Sequence, residues 1–115
     1  MSGFAPHPSP DGRFVVATDG QEVRMSHWIL TPRIVVAATG VELLRFANQS
    51  WSVDRVDWCT PERVRLTLRK YPGNHQPPLV HCEVDCRART ATVAGTELPL
   101  AELEARLDAL LQWRP

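Results

Sequence analysis

The sequence predicts a mainly β fold of the α+β class: an antiparallel meander that forms a small, strongly bent barrel or sandwich, with one C-terminal amphipathic helix packed on it. Short segments that alternate apolar and polar residues are separated by turn residues, and the last segment changes to a repeat of three and four residues. The chain of 115 residues has the size of one domain. We therefore expect a single β domain over residues 10–115, preceded by a flexible, proline-rich arm over residues 1–9.

The turn SPDG at residues 9–12 precedes the first predicted strand, RFVVAT, because proline, aspartate and glycine suit successive positions of a β-turn. Asp19–Gly20 predicts a second turn. The segment EVRMSHWIL, residues 22–30, predicts one strand with apolar groups on both faces. The apolar runs on either side of Gly40 predict a hairpin in which this glycine takes the left-handed conformation.

The segment RVRLTLR, residues 63–69, has the most regular alternation in the chain. Val64, Leu66 and Leu68 point one way, and the polar residues between them point the other way. One face of this strand is therefore predicted to be core, and the other is predicted to meet solvent. Further strands are predicted over residues 53–58, 79–85 and 87–93.

The stretch HCEVDC, residues 81–86, holds two thiols and an imidazole, which are all metal ligands. On a strand, successive side chains alternate, so Cys82 and Cys86 face the core while His81 faces solvent. At about 3.3 Å per residue the two cysteines lie roughly 13 Å apart, too far for a disulfide or a shared zinc ion. We therefore predict structural thiols, no metal site and no cofactor.

Antiparallel pairing of this strand with RVRLTLR, core face to core face, predicts which charges meet on the solvent face. It sets Arg63 opposite Asp85 and Arg65 opposite Glu83, or one pair out of step with that. The basic stripe is then partly neutralised within the sheet.

The net charge gives no general attraction to nucleic acid, because 13 basic and 13 acidic residues balance. Binding of RNA or single-stranded nucleic acid therefore rests on a local basic patch with an aromatic side chain that stacks on bases. The residues predicted for this patch are Arg63, Arg65, Arg69, Lys70 and Trp51. A second predicted binding element is the proline-rich loop at residues 70–78, through Tyr71, Asn74 and His75. The alternatives are a solvated, ion-paired strand face and a loop without function.

The stretch GVELLRFANQSW resembles the first motif of the Sm-like family through Gly40, Leu43 and Phe46. That family folds into a strongly bent, five-stranded barrel, assembles into rings and binds RNA. Ala47 stands where the family has an aspartate after the aromatic residue. The resemblance implies a variant barrel with RNA as its partner.

Ser26 and His27 are adjacent in a predicted strand, so their side chains point to opposite faces and cannot act as nucleophile and base. His27 is predicted to be a core histidine or else a catalytic or pH-sensitive group. No phosphate-binding glycine loop, nucleophile elbow or metalloprotease motif occurs in the sequence. We expect a protein that is not an enzyme. The alternative is a small enzyme whose site gathers at His27, His75 and the proline-rich loop.

The segment LPLAELEARLDALLQW predicts a helix over residues 99–112, with Pro99 in its first turn. Its leucines recur at three- and four-residue steps, and Glu102 is spaced to pair with Arg106 one turn on. The leucine stripe is expected to pack on the sheet of its own chain or against a second helix in a dimer.

The first residues show no cationic segment followed by an apolar run, and no window is apolar enough to span a membrane. Three cysteines without an export signal indicate reduced thiols, so we expect a cytoplasmic, bacterial protein with no membrane partner. A small sheet has edges that must be covered. The predicted function is therefore a non-catalytic binding or assembly module that self-associates. Its predicted partner is its own copy in a homo-oligomer, a dimer, and RNA is the alternative partner.

Overall fold

The computed structural model describes residues 6–23, 27–71, 75–76 and 78–113, and these residues form a mainly β protein with one short C-terminal helix. A 3-10 turn (Leu100–Glu102) leads into helix α1 (Leu103–Leu110). The strands are β1 (His7–Pro8), β2 (Phe14–Val23), β3 (His27–Val36), β4 (Glu42–Arg45), β5 (Trp51–Trp58), β6 (Arg63–Lys70), β7 (His75–Gln76), β8 (Val80–Asp85), β9 (Thr90–Val93), β10 (Thr96–Pro99) and β11 (Gln112–Trp113).

The strands pair antiparallel in two main sheets. The first sheet has the order β1-β2-β3-β4 and the second has the order β10-β9-β8-β6-β5, while β11 pairs with β7. Backbone pairing among the described strands does not close these sheets into a barrel. The predicted class, an antiparallel β fold with a C-terminal helix, is confirmed. Of the predicted flexible arm, residues 1–5 lie outside the described residues, and His7–Pro8 pairs with Val15–Val16 of β2.

Two of the predicted turns are confirmed. Gly12 has φ +75° and its N–H donates to the Ser9 carbonyl over 2.9 Å. Gly40 lies between β3 and β4 with φ +73°. Both glycines occupy the left-handed region, which residues with a Cβ rarely adopt.

The predicted turn at Asp19–Gly20 and the predicted single strand over residues 22–30 are wrong. Asp19–Gly20 lies inside β2, where it pairs with Leu30–Thr31 of β3. Val23 pairs with His27, so the chain reverses direction between these two residues. Pairing along ten residues of each strand outweighs the local preference of an Asp-Gly pair for a turn.

The core lies between the two sheets and beneath the helix. Val64, Leu66 and Leu68 of β6 are fully buried, as the alternation of that strand predicts. Burial of a side chain of this size stabilises the fold by about 1.5–3 kcal/mol. The same cluster also includes fully buried residues of the first sheet and of α1: Val16, Ile34, Leu103 and Leu107.

Side-chain hydrogen bonds join the two sheets where β3 runs beside β5. The Leu30 N–H donates to Ser52 Oγ over 2.9 Å, and Thr31 Oγ1 donates to the Gln49 carbonyl over 3.0 Å. Ser52 and Thr31 are buried, and these bonds satisfy their hydroxyl groups. The outer edge of β5 is therefore covered by β3.

The helical segment is shorter than the predicted 99–112. Pro99 is extended, with φ −63° and ψ 148°, and Leu111 is extended again, with φ −90° and ψ 136°. Glu102 belongs to the 3-10 turn and Arg106 to the α-helix, so the two are not one turn apart in a continuous α-helix. The predicted Glu102–Arg106 ion pair does not form among the described residues.

A strand that the sequence did not predict, β10, follows β9 through the two-residue turn Ala94–Gly95. The φ angles of these residues are +50° and +82°, as a type I′ hairpin turn requires. Residues 96–99 pair with residues 90–93 without a bulge. This hairpin places β10 at the outer edge of the five-stranded sheet.

Candidate functional site

The solvent face of the five-stranded sheet carries the predicted basic stripe. Arg63 lies opposite Asp85 and Arg65 lies opposite Glu83, which is the predicted register. Arg63 forms ion pairs with Glu83 over 3.0 Å and with Asp85 over 3.6 Å. The positive charge at this position is therefore balanced by its neighbours on β8.

Arg65 has no ion pair within the described parts of the chain, although acids lie opposite it on both sides. Asp57 of β5 pairs with Arg55 over 3.0 Å, and Glu83 of β8 pairs with Arg63. Arg65 and His81 line a shallow surface cleft of about 310 Å³ beside Glu83. One unpaired guanidinium next to a carboxylate gives this cleft no excess positive charge.

The other residues of the predicted nucleic-acid patch lie on different faces of the sheet. Arg69 is exposed and pairs with Asp54 over 3.5 Å. Trp51 is fully buried, and its ring packs against Phe46 with centroids 5.8 Å apart. A buried indole cannot stack on a base while the fold is intact. Its Nε1–H has no hydrogen-bond partner among the described residues.

Lys70 lies on the Trp51 side of the sheet. Its Nζ is 5.5 Å from the centroid of the Trp51 ring and 2.6 Å from Asp108 Oδ1 of α1. Only 19% of the Lys70 side chain is exposed, so this lysine joins the sheet to the helix. The five predicted residues therefore do not form one surface: the arginines face solvent, while Trp51 and Lys70 face inward.

The predicted binding loop is described only in part. Tyr71 is exposed, and its N–H donates to the Ser50 carbonyl over 2.8 Å. Asn74 lies outside the described residues, as do the side chains of His75 and His27, so their predicted roles stay predictions. Ser26 also lies outside the described residues.

The stretch HCEVDC lies on β8 and at its end, with the predicted alternation of side chains. Cys82 and Cys86 are buried, and burial raises the pKa of each thiol to about 12, with an added effect of the Asp85 and Glu62 carboxylates at Cys86. His81 faces solvent, and its Nδ1 is 3.2 Å from Thr67 Oγ1. Within the described residues no three His, Cys, Asp or Glu side chains are grouped to hold a metal ion. The two thiols are un-ionised and unreactive near neutral pH.

A small cleft of about 220 Å³ lies where β5 bulges. Asp54 is the extra residue of the bulge, because its neighbours Val53 and Arg55 pair with consecutive residues of β6. The charged side chains at this cleft already have partners: Asp54 pairs with Arg69, and Arg55 pairs with Asp57. The lining residues are His7, Thr18, Leu30, Val53, Asp54, Arg55 and Val56.

A groove runs between β10 and α1, and we call it the β10–α1 groove. Its volume is about 470 Å³, and its surface is mostly apolar. Three charged side chains on its rim, Glu97, Glu102 and Arg106, have no ion pair within the described ranges. The lining residues are Thr96, Glu97, Leu98, Pro99, Glu102, Ala105, Arg106 and Ala109.

The free edge of β10 borders this groove. Thr96 pairs with Val93 across the two-residue turn, and the Leu100 N–H donates to the Arg89 carbonyl over 3.2 Å. In an antiparallel pair of strands, the backbone groups of successive residues point alternately toward the partner strand and away from it. In β10 those of Thr96 and Leu98 therefore bond to β9, and those of Glu97 and Pro99 face outward. Sequence reasoning missed this groove because it missed β10. The signal was the dipeptide Ala94–Gly95 between two extended segments, TATV and TELP.

No protein-family model, curated protein or solved structure matches this chain. No helix within the described residues is long and apolar enough to cross a membrane.

Proposed function

We propose that this protein is a non-catalytic binding and assembly module that self-associates as a homodimer. The observation that carries the proposal is the meeting of an open strand edge, an apolar groove and unpaired charges at one place. An apolar surface rimmed by charged residues is typical of a protein–protein contact.

The other sheet edges that the structure describes are covered or short. The edge of β5 lies against β3 through the bond from Leu30 to Ser52. The edge strand β1 has only two residues, one of which is Pro8, and proline cannot donate to a further strand. The edge strand β4 lies beside the 3-10 turn, and the N–H groups of Ala47 and Asn48, which follow it, donate to the Glu104 carboxylate of α1. These features favour β10 as the edge available to a second molecule.

The chemistry of the described polar groups favours binding over catalysis. Most charged side chains on the five-stranded sheet form ion pairs with one another, such as Arg63 with Glu83 and Arg69 with Asp54. The buried thiols, with pKa values of about 12, offer no nucleophile. The same ion pairs weaken the RNA alternative, because paired arginines release fewer counterions from phosphates.

We also propose that the module works in the cytoplasm. Its three cysteines are free: Cys59 is exposed, and Cys82 and Cys86 are buried. An exposed free thiol suits a reducing compartment, since in an oxidising compartment it would form mixed disulfides.

The test is the molar mass of the purified chain by light scattering coupled to size-exclusion chromatography, from low micromolar to millimolar concentration. We expect a mass that rises with concentration toward that of a dimer, about twice the 12.9 kDa of one chain. A monomer mass at every concentration would refute self-association. Retention on an oligonucleotide column at low salt, lost on adding salt, would favour RNA binding instead.

A further inference from the structure

Two unpaired charges of opposite sign lie on the rim of the β10–α1 groove. Glu102 and Arg106 both border it, both are exposed, and neither has an ion-pair partner in the described segments. Within these segments they do not pair with each other either. Each charge is therefore available to a group on another molecule.

The helix surface beside these charges is made of small residues. Ala105 and Ala109 line the groove and are exposed. Their spacing of four residues places them on the same side of α1, where short side chains let another backbone approach closely. Leu98 is half-buried at the floor of the groove and packs on the core. This strip is apolar at its centre. Its helical side carries one acid, Glu102, and one base, Arg106, and its strand side carries a second acid, Glu97.

The acid and the base on the helical side of the groove are complementary to those of a second copy. In a twofold dimer the same patch meets itself, so residue i of one molecule contacts residue j of the other and the reverse contact also occurs. An acid and a base on one patch can therefore form two equivalent ion pairs across the axis. A partner with only one sign of charge would leave either Glu102 or Arg106 unpaired in the interface.

We infer that a second copy of this chain docks on the β10–α1 groove around a twofold axis, with Glu102 of each molecule against Arg106 of the other. This inference rests on the proposed self-association and names the surface and the pairs that produce it. The β10 strands lie antiparallel beside each other at the axis, and the two α1 helices meet through Ala105 and Ala109.

The backbone of β10 favours one register for this pairing. The outward groups are those of Glu97 and Pro99, and Pro99 has no N–H to donate. A register centred on Leu98 sets the Glu97 N–H against the Pro99 carbonyl of the other copy and keeps the two Glu97 carboxylates apart. A register centred on Glu97 would place these like charges directly opposite each other, which is unfavourable.

Charge reversal tests the inference. In Glu102→Arg and in Arg106→Glu each self-pairing brings like charges together, so we expect the dimer dissociation constant of either variant to rise by about tenfold or more. In an equimolar mixture of the two variants every cross-pair is again an acid with a base. We therefore expect the mixture to form a heterodimer with near wild-type affinity, seen by native mass spectrometry. Glu22→Arg on β2 and Arg55→Glu on β5 are the matched controls and should dimerise as the wild type does, because both residues are exposed, β2 belongs to the other sheet, and β5 lies at the opposite edge of the five-stranded sheet from β10.

The outcomes separate this inference from the proposed function. A wild-type monomer would refute both. A wild-type dimer that neither reversal weakens would place the interface elsewhere, and so overturn the inference while self-association stands. Weakened single variants that do not recover on mixing would also overturn it, provided that circular dichroism shows both variants folded.

Discussion

Replacing Lys70 by methionine tests how this lysine joins the sheet to the helix. The substitution keeps an unbranched side chain of similar length and removes the charge. It abolishes the ion pair with Asp108 at 2.6 Å and the cation–π contact with Trp51 at 5.5 Å. Among the described contacts, Lys70 is the one member of the predicted nucleic-acid patch whose charge pairs with a residue of α1. The variant therefore also tests whether Lys70 stabilises the fold or binds nucleic acid.

The magnitude follows from the exposure of the two partners. The Lys70 side chain is 19% exposed and that of Asp108 is 41% exposed, so the ion pair is only partly screened and contributes about 1 kcal/mol. A partly desolvated cation over an indole ring adds about 0.5–1 kcal/mol. Methionine regains some apolar contact, so we expect Lys70→Met to lower the free energy of unfolding by about 1–2 kcal/mol.

The neighbouring residue supplies the control. Arg69 lies on the same strand but faces solvent; its side chain is 57% exposed, and its ion pair with Asp54 is 3.5 Å long. We expect Arg69→Met to change the free energy of unfolding by less than about 0.5 kcal/mol.

Urea unfolding followed by circular dichroism, at one low protein concentration so that association does not contribute, measures these differences. A double-mutant cycle with Asp108→Asn should give a coupling energy of about 1 kcal/mol between Lys70 and Asp108. If Lys70→Met and Arg69→Met destabilise equally, or if the coupling is absent, the placement of Lys70 between Trp51 and the helix is wrong.

Three further predictions concern the β9–β10 turn and the thiols. Ala94 has φ +50°, and asparagine tolerates this left-handed region better than alanine. We therefore expect Ala94→Asn to raise the free energy of unfolding by about 0.5–1 kcal/mol in the same urea assay. An unchanged or lower free energy of unfolding would contradict the type I′ turn. A chromogenic thiol reagent at neutral pH should label Cys59 at once, and label Cys82 and Cys86 only when the protein unfolds; rapid labelling of all three would contradict their burial. Because the pKa of each buried thiol is raised from 9.0 to about 12, the unfolded state binds fewer protons between these values. The contribution of the two thiols to stability should therefore be constant below pH 9 and fall as pH rises from there toward 12. Unfolding curves of the wild type and Cys82→Ser across this range check the sign.

The register of β6 and β8 could be predicted from the sequence because it depends on local alternation. Pairing that places the apolar residues of both strands on the core side sets Arg63 opposite Asp85 or is one pair out of step with that, and the structure has the first of these registers. The burial of Cys82 and Cys86 follows from the same alternation. The alternation of apolar and polar residues along β6 and β8 therefore predicts which of their side chains form the core.

The remaining features depend on contacts between distant residues, which no local pattern reports. Asp19–Gly20 has the composition of a turn, yet pairing with β3 keeps it extended. Pro99 has the composition of a helix start, yet its pairing with Thr90 makes it the end of β10. The β10–α1 groove was not predicted because one of its two walls is β10, whose last residue was assigned to the helix.

The burial of Trp51 also could not be predicted from its neighbours in sequence. Its position depends on β6, where it pairs with Lys70, and on Phe46, which packs against its ring. A tryptophan predicted near a basic stripe is typical of a base-stacking site. In the fold its indole ring faces the core and the arginines face solvent.

Self-association through the β10–α1 groove is tested most directly by amide hydrogen exchange at two protein concentrations, one below and one above the dimer dissociation constant. The account predicts that exchange slows with concentration over residues 96–109, above all at the Glu97 amide, which faces away from β9, while residues of β6 at the centre of the sheet exchange at the same rate in both samples. Exchange over residues 96–109 that does not depend on concentration, or slowing confined to another surface, would contradict it.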